Sequence, residues 1–320
     1  MSGQYNTLIL SGGSIRTVCE LGAIQYYNDN KRLDSINLYI SVSASSIIAY
    51  LLIVGYTPIE LLNIVCSHPL FTTDIPLIDM VSLLRKDGGI SFTPIRDLLE
   101  KLTIDKLGMI PTLGKLKQIT GIDFVISTFN YDKKRIEYLT PQATPDIPCI
   151  VGIQMSCALP FIFKMYKYMG NRYMDSGVIE SIPLGYLNEM RLENRRILSI
   201  VIEPYLYNDP EDTSDIYPLF HNILSIPSLS LLQYQLAKYN KLMDTVHLSI
   251  DTHFLNYYLN TKEKFEMFTF GYHQAQLASD PESVETPTES GPSKVENSEE
   301  EEAIEHSDTG VEESKEDELE

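Results

Sequence analysis

Three short stretches of the chain carry side chains that could do chemistry together. The first is Tyr39-Ile40-Ser41-Val42-Ser43-Ala44-Ser45, where an apolar run meets small residues and leads into the apolar stretch from Ile47 to Val54. A strand that feeds a helix through such a turn holds the hydroxyl at its tip clear of the sheet. It also sets that hydroxyl near the positive end of the helix, so Ser43 is a candidate nucleophile. The other reading of the same residues is a serine-rich helix cap. The second stretch, Ser11-Gly12-Gly13-Ser14-Ile15-Arg16, lies between another strand and helix. Consecutive glycines let backbone amides approach a ligand closely, so Gly12, Gly13 and Ser14 could form an anion hole, or simply a tight turn. The spacing matches neither G-x-G-x-x-G nor the GK[ST] ending of a nucleotide phosphate loop. The third stretch, Met174-Asp175-Ser176-Gly177, sets a carboxylate at the end of a rigid element. Asp175 could act as a base there, and Asp-Ser-Gly is also an ordinary turn sequence.

The elements needed to position these residues can be read from periodicity. Tyr5 to Leu10 reads as a buried strand, and Val18, Leu21, Gly22, Ile24 and Tyr27 mark a helix. Leu38 to Ile40 reads as a second strand, followed by a helix from Ser45 to Val54. Thr57-Pro58 caps another helix that ends near His68. Residues 70–121 hold further helical signals, including Thr93-Pro94 opening Ile95 to Leu102. Asp123 to Phe129 and Arg135 to Leu139 read as strands. Gly170-Asn171 predicts a hairpin turn between Phe163–Met169 and Arg172–Met174, presenting Asp175 just beyond it. Ile197 to Ile202 and Val246 to Ile250 read as strands, Leu219 to Tyr239 as helix despite Pro227, and Thr261 to Ala278 as a final helix. Helices alternating with buried strands predict a three-layer α/β fold with a largely parallel sheet.

Taken in this order, the three stretches resemble the patatin-like phospholipases. That family has a glycine-rich oxyanion loop, a G-x-S-x-G elbow about thirty residues later, and a D-G-G or D-G-A motif that supplies the aspartate of a Ser-Asp dyad. The matching segments are LILSGGSIRTVCELGA, YISVSASSIIAYLL and QMSCALPFIFKMYKYMGNRYMDSGVIESIP. Ser156, Ala158, Pro160 and Phe163 extend the last match as S-x-A-x-P-x-x-F, and KEKFEMFTFGYHQA resembles the closing helix. The resemblance covers residues 1–279 as one patatin-like domain of three-layer α/β/α architecture, with its motifs in 5–205. It implies a lipid acyl hydrolase in which Ser43 attacks a fatty-acyl ester, Asp175 accepts its proton, and an acyl-enzyme forms and is hydrolysed. The amides of Gly12, Gly13 and Ser14 would bind the oxyanion, and no cofactor or metal is implied. Arg16 matches a basic residue that holds the loop's shape; by itself it is equally a solvated charge at a helix start. Ser14, Ser41, Ser45 and Ser176 stand where the family has glycine, and Thr17 does likewise, while Gly177 keeps the family's residue. Each such change adds a Cβ, which is costly only where φ is positive or the backbone is crowded, Ser41 being the position most open to crowding.

Composition narrows the alternatives. The chain of 320 residues is 43% hydrophobic, enough for a core without disulfides or metal. Of its net charge of −19, residues 280–320 carry 17 acidic and 2 basic side chains. That segment has no aromatic residue and reads as a disordered acidic tail whose partner the sequence does not reveal. No basic stripe is present for nucleic acid. Cys19, Cys66, Cys149 and Cys157 lie apart in apolar surroundings and read as buried thiols. The N-terminus lacks a signal-peptide pattern and the longest apolar run is far short of a bilayer span, so a soluble cytoplasmic protein is expected. Membrane contact, if made, would use apolar surface near Leu219 to Leu232, a stretch that could equally be core. Two other functions fit the residues: a non-catalytic lipid-binding or scaffold module, and an α/β-hydrolase with a Ser-His-Asp triad completed by His247 or His253.

Overall fold

The central strands are short apolar runs buried on both faces, the pattern expected when a parallel sheet is covered by helices. The computed structural model describes residues 3–72, 91–160, 162–204, 206, 217–250 and 259–280, apart from the side chains of 217, 218, 220, 221 and 224. Within these residues the order is β1 (Thr7–Leu10), α1 (Thr17–Asp29), β2 (Leu38–Val42), α2 (Ala44–Val54), α3 (Pro58–Ser67) and α4 (Pro69–Thr72). Then come α5 (Thr93–Leu107), α6 (Leu113–Thr120), β3 (Asp123–Asn130), β4 (Arg135–Leu139), α7 (Cys149–Ser156), β5 (Tyr166–Tyr168) and β6 (Asn171–Met174). The last elements are β7 (Ile197–Ile202), α8 (Tyr217–Tyr239), β8 (Met243–Leu248) and α9 (Thr261–Ser279).

Five strands run parallel in the order β3-β2-β1-β7-β8, with Thr7 level with Leu38 on one side and with Ile197 on the other. β4 and β6 add antiparallel pairing to β3, and β5 pairs with β6. The chain moves outward from β1 through β2 to β3 and later returns to β1's other side as β7. The crevice at the carboxyl ends of the strands near β1 is therefore the topological switch point where open α/β sheets bind ligands. Both the Gly12-Gly13 loop and Ser43 leave the sheet there, at the ends of β1 and β2.

Alternation along the strands divides the core in two. Leu8 and Leu10 of β1 join Leu198, Ile200 and Ile202 of β7 in a large cluster with α1, α2, α3, α5, α7 and α9. Ile9, Ile40, Val125 and Val201 face the other way, against Leu232 and Tyr239 of α8 and the 3-10 turn at Leu184–Asn188. This is the expected three-layer arrangement. Helix ends follow their sequence signals: Thr57 and Glu60 form a reciprocal capping box with Pro58 in the first turn, and Gly55 ends α2 in the left-handed region.

Two expectations need correction. The hairpin turn is Met169-Gly170, not Gly170-Asn171: Met169 (φ 44°) and Gly170 (φ 78°) take the positive angles, and Asn171 already pairs with Tyr168. Positive φ at both central residues is the type I′ geometry that matches strand twist, and this register buries Tyr173. α7 also lies where no helix was marked, whereas α6 falls within the helical signals of residues 70–121. His253 and the acidic tail beyond Asp280 lie outside the described residues, as do residues 73–90.

α1, which carries Arg16's loop on its amino end, is held by an unusually close crossing with α9. A Cβ on Gly22 would sit 1.8 Å from the Phe268 carbonyl oxygen, and one on Gly271 would sit 1.8 Å from that of Cys19. Both obstacles are backbone, so neither side can yield by rotating a side chain. Gly271→Ala would gain about 1 kcal/mol of helix propensity but must push the helices apart, so a net loss of about 1–3 kcal/mol is expected in urea unfolding.

Candidate active site

Ser43 caps α2 with φ 58° and ψ −138°, a region that a residue with a Cβ enters only under constraint. The constraint can be named. Its N–H donates to Ser156 Oγ at 2.7 Å, and that hydroxyl donates to the Ser127 carbonyl at 2.7 Å. Its carbonyl accepts from the Ser46 amide at 2.9 Å. Thus β3, the end of α7 and the first turn of α2 together fix the turn, and the side chain is left partly exposed at its tip.

The Ser43 hydroxyl lies beside the Asp175 carboxylate and favours its ionised form. Asp175 follows β6, where its amide donates to the Ala158 carbonyl at 3.0 Å, and its Oδ1 accepts from the Gly177 amide at 2.7 Å. The ordinary-turn reading is therefore true as well: Asp175 caps the 3-10 turn Ser176–Val178 while facing Ser43. Burial pushes its carboxyl up to about 6, against the nearby Ser43 hydroxyl and the Gly177 amide, which favour the ionised form. At neutral pH most of it is a carboxylate that can accept a proton. Among the described residues no imidazole lies between hydroxyl and carboxylate: His247 is half exposed and paired with Glu203 at 3.1 Å.

The glycine loop passes directly over the serine. A Cβ on Gly12 would come 3.2 Å from Ser43 Cβ, and one on Gly13 would come 2.3 Å from Ile202 Cδ1, so a side chain at either position would have to displace one of its neighbours. The Gly12 N–H donates to the Ser181 carbonyl at 2.8 Å. The Gly13 and Ser14 amides have no acceptor among the described residues. Ser14 has φ 53°, and Thr17 Oγ1 braces it by donating to its carbonyl at 2.8 Å. Arg16 is buried rather than solvated. Its Nη1 donates to the Glu203 carbonyl at 3.0 Å and its Nε to the Gly13 carbonyl at 3.4 Å, which ties the loop to the end of β7. Burial lowers the guanidinium to about 10, so it stays cationic at neutral pH.

The serines that replace glycine are absorbed in different ways. Of Ser14, Ser41, Ser45 and Ser176, only Ser14 has positive φ. Ser41 is fully buried, and its hydroxyl donates to Ser46 Oγ at 3.1 Å. Ser176 Oγ meets Ser127 Oγ at 2.7 Å. Ser45 Oγ donates to the Ser11 carbonyl and contacts the Glu20 carboxyl. A buried hydroxyl with a partner costs little, so the crowding anticipated at Ser41 has become a hydrogen bond.

Sequence reasoning noted Ser156 only as part of a motif. Its role as acceptor for the Ser43 amide joins residues 113 positions apart, and no local signal carries that. Cys19, Cys149 and Cys157 are buried free thiols and Cys66 is partly buried. Burial, with the Asp175 charge beside it, holds the Cys157 thiol far above its ordinary range and makes it a poor competing nucleophile. No group of metal-ligating side chains occurs among the described residues.

Comparison with known proteins bears on the family and the fold. Residues 8–188 match the family model of the patatin-like phospholipases. The chain is 30% identical over 184 residues, 56% of its length, to "Probable lipid hydrolase 463L" of Invertebrate iridescent virus 6, and the match spans 62% of that protein. It is 24% identical over 285 residues to "Uncharacterized protein R571" of Acanthamoeba polyphaga mimivirus, covering 84% of this chain and 91% of that one. Among solved structures, VipD from Legionella pneumophila superposes with a TM-score of 0.50 at 14% identity, over 87% of this chain and 67% of that one. This last likeness concerns the fold.

Removing the Ser156 hydroxyl leaves the Ser43 amide buried without its acceptor. Ser156→Ala is expected to cost about 1–3 kcal/mol in urea unfolding, and to slow any reaction at Ser43 by relaxing the turn.

Proposed function

The chain belongs to the patatin-like phospholipase family, and from that premise we propose that it is a lipid acyl hydrolase working through a Ser43–Asp175 dyad. The observation that carries the reading is the strained Ser43 set beside a buried, largely ionised Asp175 whose charge its hydroxyl favours. In the proposed reaction Asp175 takes the hydroxyl proton as Oγ attacks the ester carbonyl, and the protonated carboxyl then returns it to the departing alcohol. Water repeats the sequence on the acyl-enzyme, with Asp175 again acting as base.

The tetrahedral intermediate carries its negative charge on the former carbonyl oxygen. The Gly13 and Ser14 amides are the donors left for it, because Gly12 gives its N–H to Ser181 and thereby shapes the loop. Arg16, bound to the Gly13 carbonyl, keeps that peptide turned toward the site. Ser41, Ser45 and Ser176 support the turn through buried hydrogen bonds, and Gly177 supplies an amide to Asp175.

A fatty-acyl ester is the substrate class that the family membership and the viral lipid hydrolase relative support. Leu219, Ile223 and Ile226 of α8 are exposed on a helix that packs against the 3-10 turn after Asp175. This apolar stripe supports contact with a lipid surface beside the site. No helix among the described residues is long and apolar enough to cross a membrane.

A panel of fatty-acyl esters, phospholipids, lysophospholipids and neutral lipids tests the proposal. Ser43→Ala and Asp175→Asn should each lower kcat/KM on the order of 10⁴-fold. In the wild type, kcat/KM should fall as pH drops below about 6, because the base becomes protonated. A Ser43→Ala protein that hydrolyses the same ester within tenfold of the wild-type rate would refute the mechanism.

A further inference from the structure

Glu20 lies in the first turn of α1 with no exposed surface, and it makes no ion pair among the described residues. Arg16, one turn earlier, directs its guanidinium at the Gly13 and Glu203 carbonyls instead. The Glu20 carboxyl sits between the two loops of the proposed site. Its Oε1 is 3.3 Å from Ser11 Oγ, at the entry to the glycine loop, and its Oε2 is 2.5 Å from Ser45 Oγ, in the first turn after Ser43.

The protons at this junction can be counted. Ser11 Oγ accepts from the Ile202 amide at 2.7 Å, so its own proton is available to Oε1. Ser45 has one proton and two contacts, Glu20 Oε2 and the Ser11 carbonyl oxygen. A carbonyl can only accept, so the Ser45 proton belongs to it, and the contact with Oε2 needs a proton from the carboxyl. An ionised Glu20 would leave either that contact or the Ser45–Ser11 contact as two facing oxygens with no hydrogen between them. As an acid, Glu20 satisfies every partner: Oε2–H donates to Ser45, Ser45 donates to Ser11, and Ser11 donates back to Oε1.

We propose that Glu20 is held as a neutral carboxylic acid whose proton clamps the Ser11–Ser14 loop to the Ser43–Ser45 elbow, making it a positioning residue for the proposed reaction at Ser43. The role in catalysis rests on the dyad reading; the protonation does not. Burial acts in the same direction, pushing the carboxyl up to about 8 against the pull of the Ser45 and Ser11 hydrogen bonds and the Arg16 charge. The titratable groups that act on it are Arg16 and Cys19. Burial keeps the Cys19 thiol neutral, while β1, α2 and β7 contribute only hydroxyl, carbonyl and amide groups.

The consequence has a definite sign. The folded value lies above the ordinary carboxyl value of 4.5, so between the two the folded chain keeps a proton that the unfolded chain has lost. The stabilisation is complete below the lower value and is lost as pH rises, at about tenfold in the folding constant per pH unit. Above about 8 the clamp ionises and the two loops lose their link. Glutamine has one acceptor and an amide donor at the same places but cannot ionise.

Urea unfolding and ester hydrolysis of the full chain, compared for wild type and Glu20→Gln across about pH 5–9, test this. The ratio of the folding constants, variant to wild type, should rise about tenfold per pH unit up to about pH 8, the contribution of Asp175 cancelling between the two proteins. Hydrolysis should fall above about pH 8 in the wild type and persist in the variant. Parallel stability curves would overturn the proposal, because they mean Glu20 is already ionised in the folded protein. Should Glu20→Gln not fold, the infrared carboxylic-acid band of the wild type at about pH 7.5 gives the same answer. Its presence, and a shift in Ser45→Ala, support the neutral acid; its absence contradicts it. If the stability ratio slopes but neither protein hydrolyses esters, the dyad reading fails while the protonation stands. If hydrolysis is present and the slope absent, the reverse holds.

Discussion

The backbone of Ser43 is the constraint around which the rest of the molecule is arranged. Its φ of 58° costs about 1–3 kcal/mol for a residue with a Cβ, and nothing local repays that. It persists because β2, buried on both faces, arrives from one side and the apolar helix α2 departs on the other. Ser156, at the end of α7, accepts the one amide that neither element can satisfy. The result is a hydroxyl presented outward at the switch point of the sheet, with a buried carboxylate as its partner. Free amides of an adjacent loop lie close by.

A second theme is how serine replaces glycine without loss of the site's shape. Glycine is indispensable where backbone occupies the space of its Cβ, as at Gly22 and Gly271; at Gly12 and Gly13 the neighbours are side-chain atoms of Ser43 and Ile202. Serine is tolerated where the angles are ordinary and a hydroxyl can find a partner. Ser41, Ser46, Ser156, Ser127 and Ser176 lie in succession beneath the elbow, with hydroxyl contacts between 2.7 and 3.4 Å. The same hydroxyls that fill the missing space also stiffen it.

Much of this was legible in the residues, and the limits have physical causes. The buried strands, the elbow, the glycine loop and the position of Asp175 follow from apolar runs bounded by small residues, which are local signals. The hairpin turn was displaced by one residue because Gly170-Asn171 and Met169-Gly170 both contain the glycine, and only the pairing of Tyr168 with Asn171 decides between them. α7, CIVGIQMS, is apolar nearly all round because it is buried, so it shows no amphipathic period. Ser156 and Glu20 owe their roles to contacts across 113 and 25 positions, which no window along the chain can show.

The central claim is that Ser43 is a nucleophile made reactive by Asp175. Incubating the wild-type protein with a fluorophosphonate and mapping the adduct by mass spectrometry tests it most directly. The account predicts one covalent phosphonyl group on Ser43, formed far more slowly in Asp175→Asn and not at all on Ser43 when that residue is alanine. A folded wild-type protein that stays unmodified at Ser43, or reacts equally fast without the carboxylate, would contradict it.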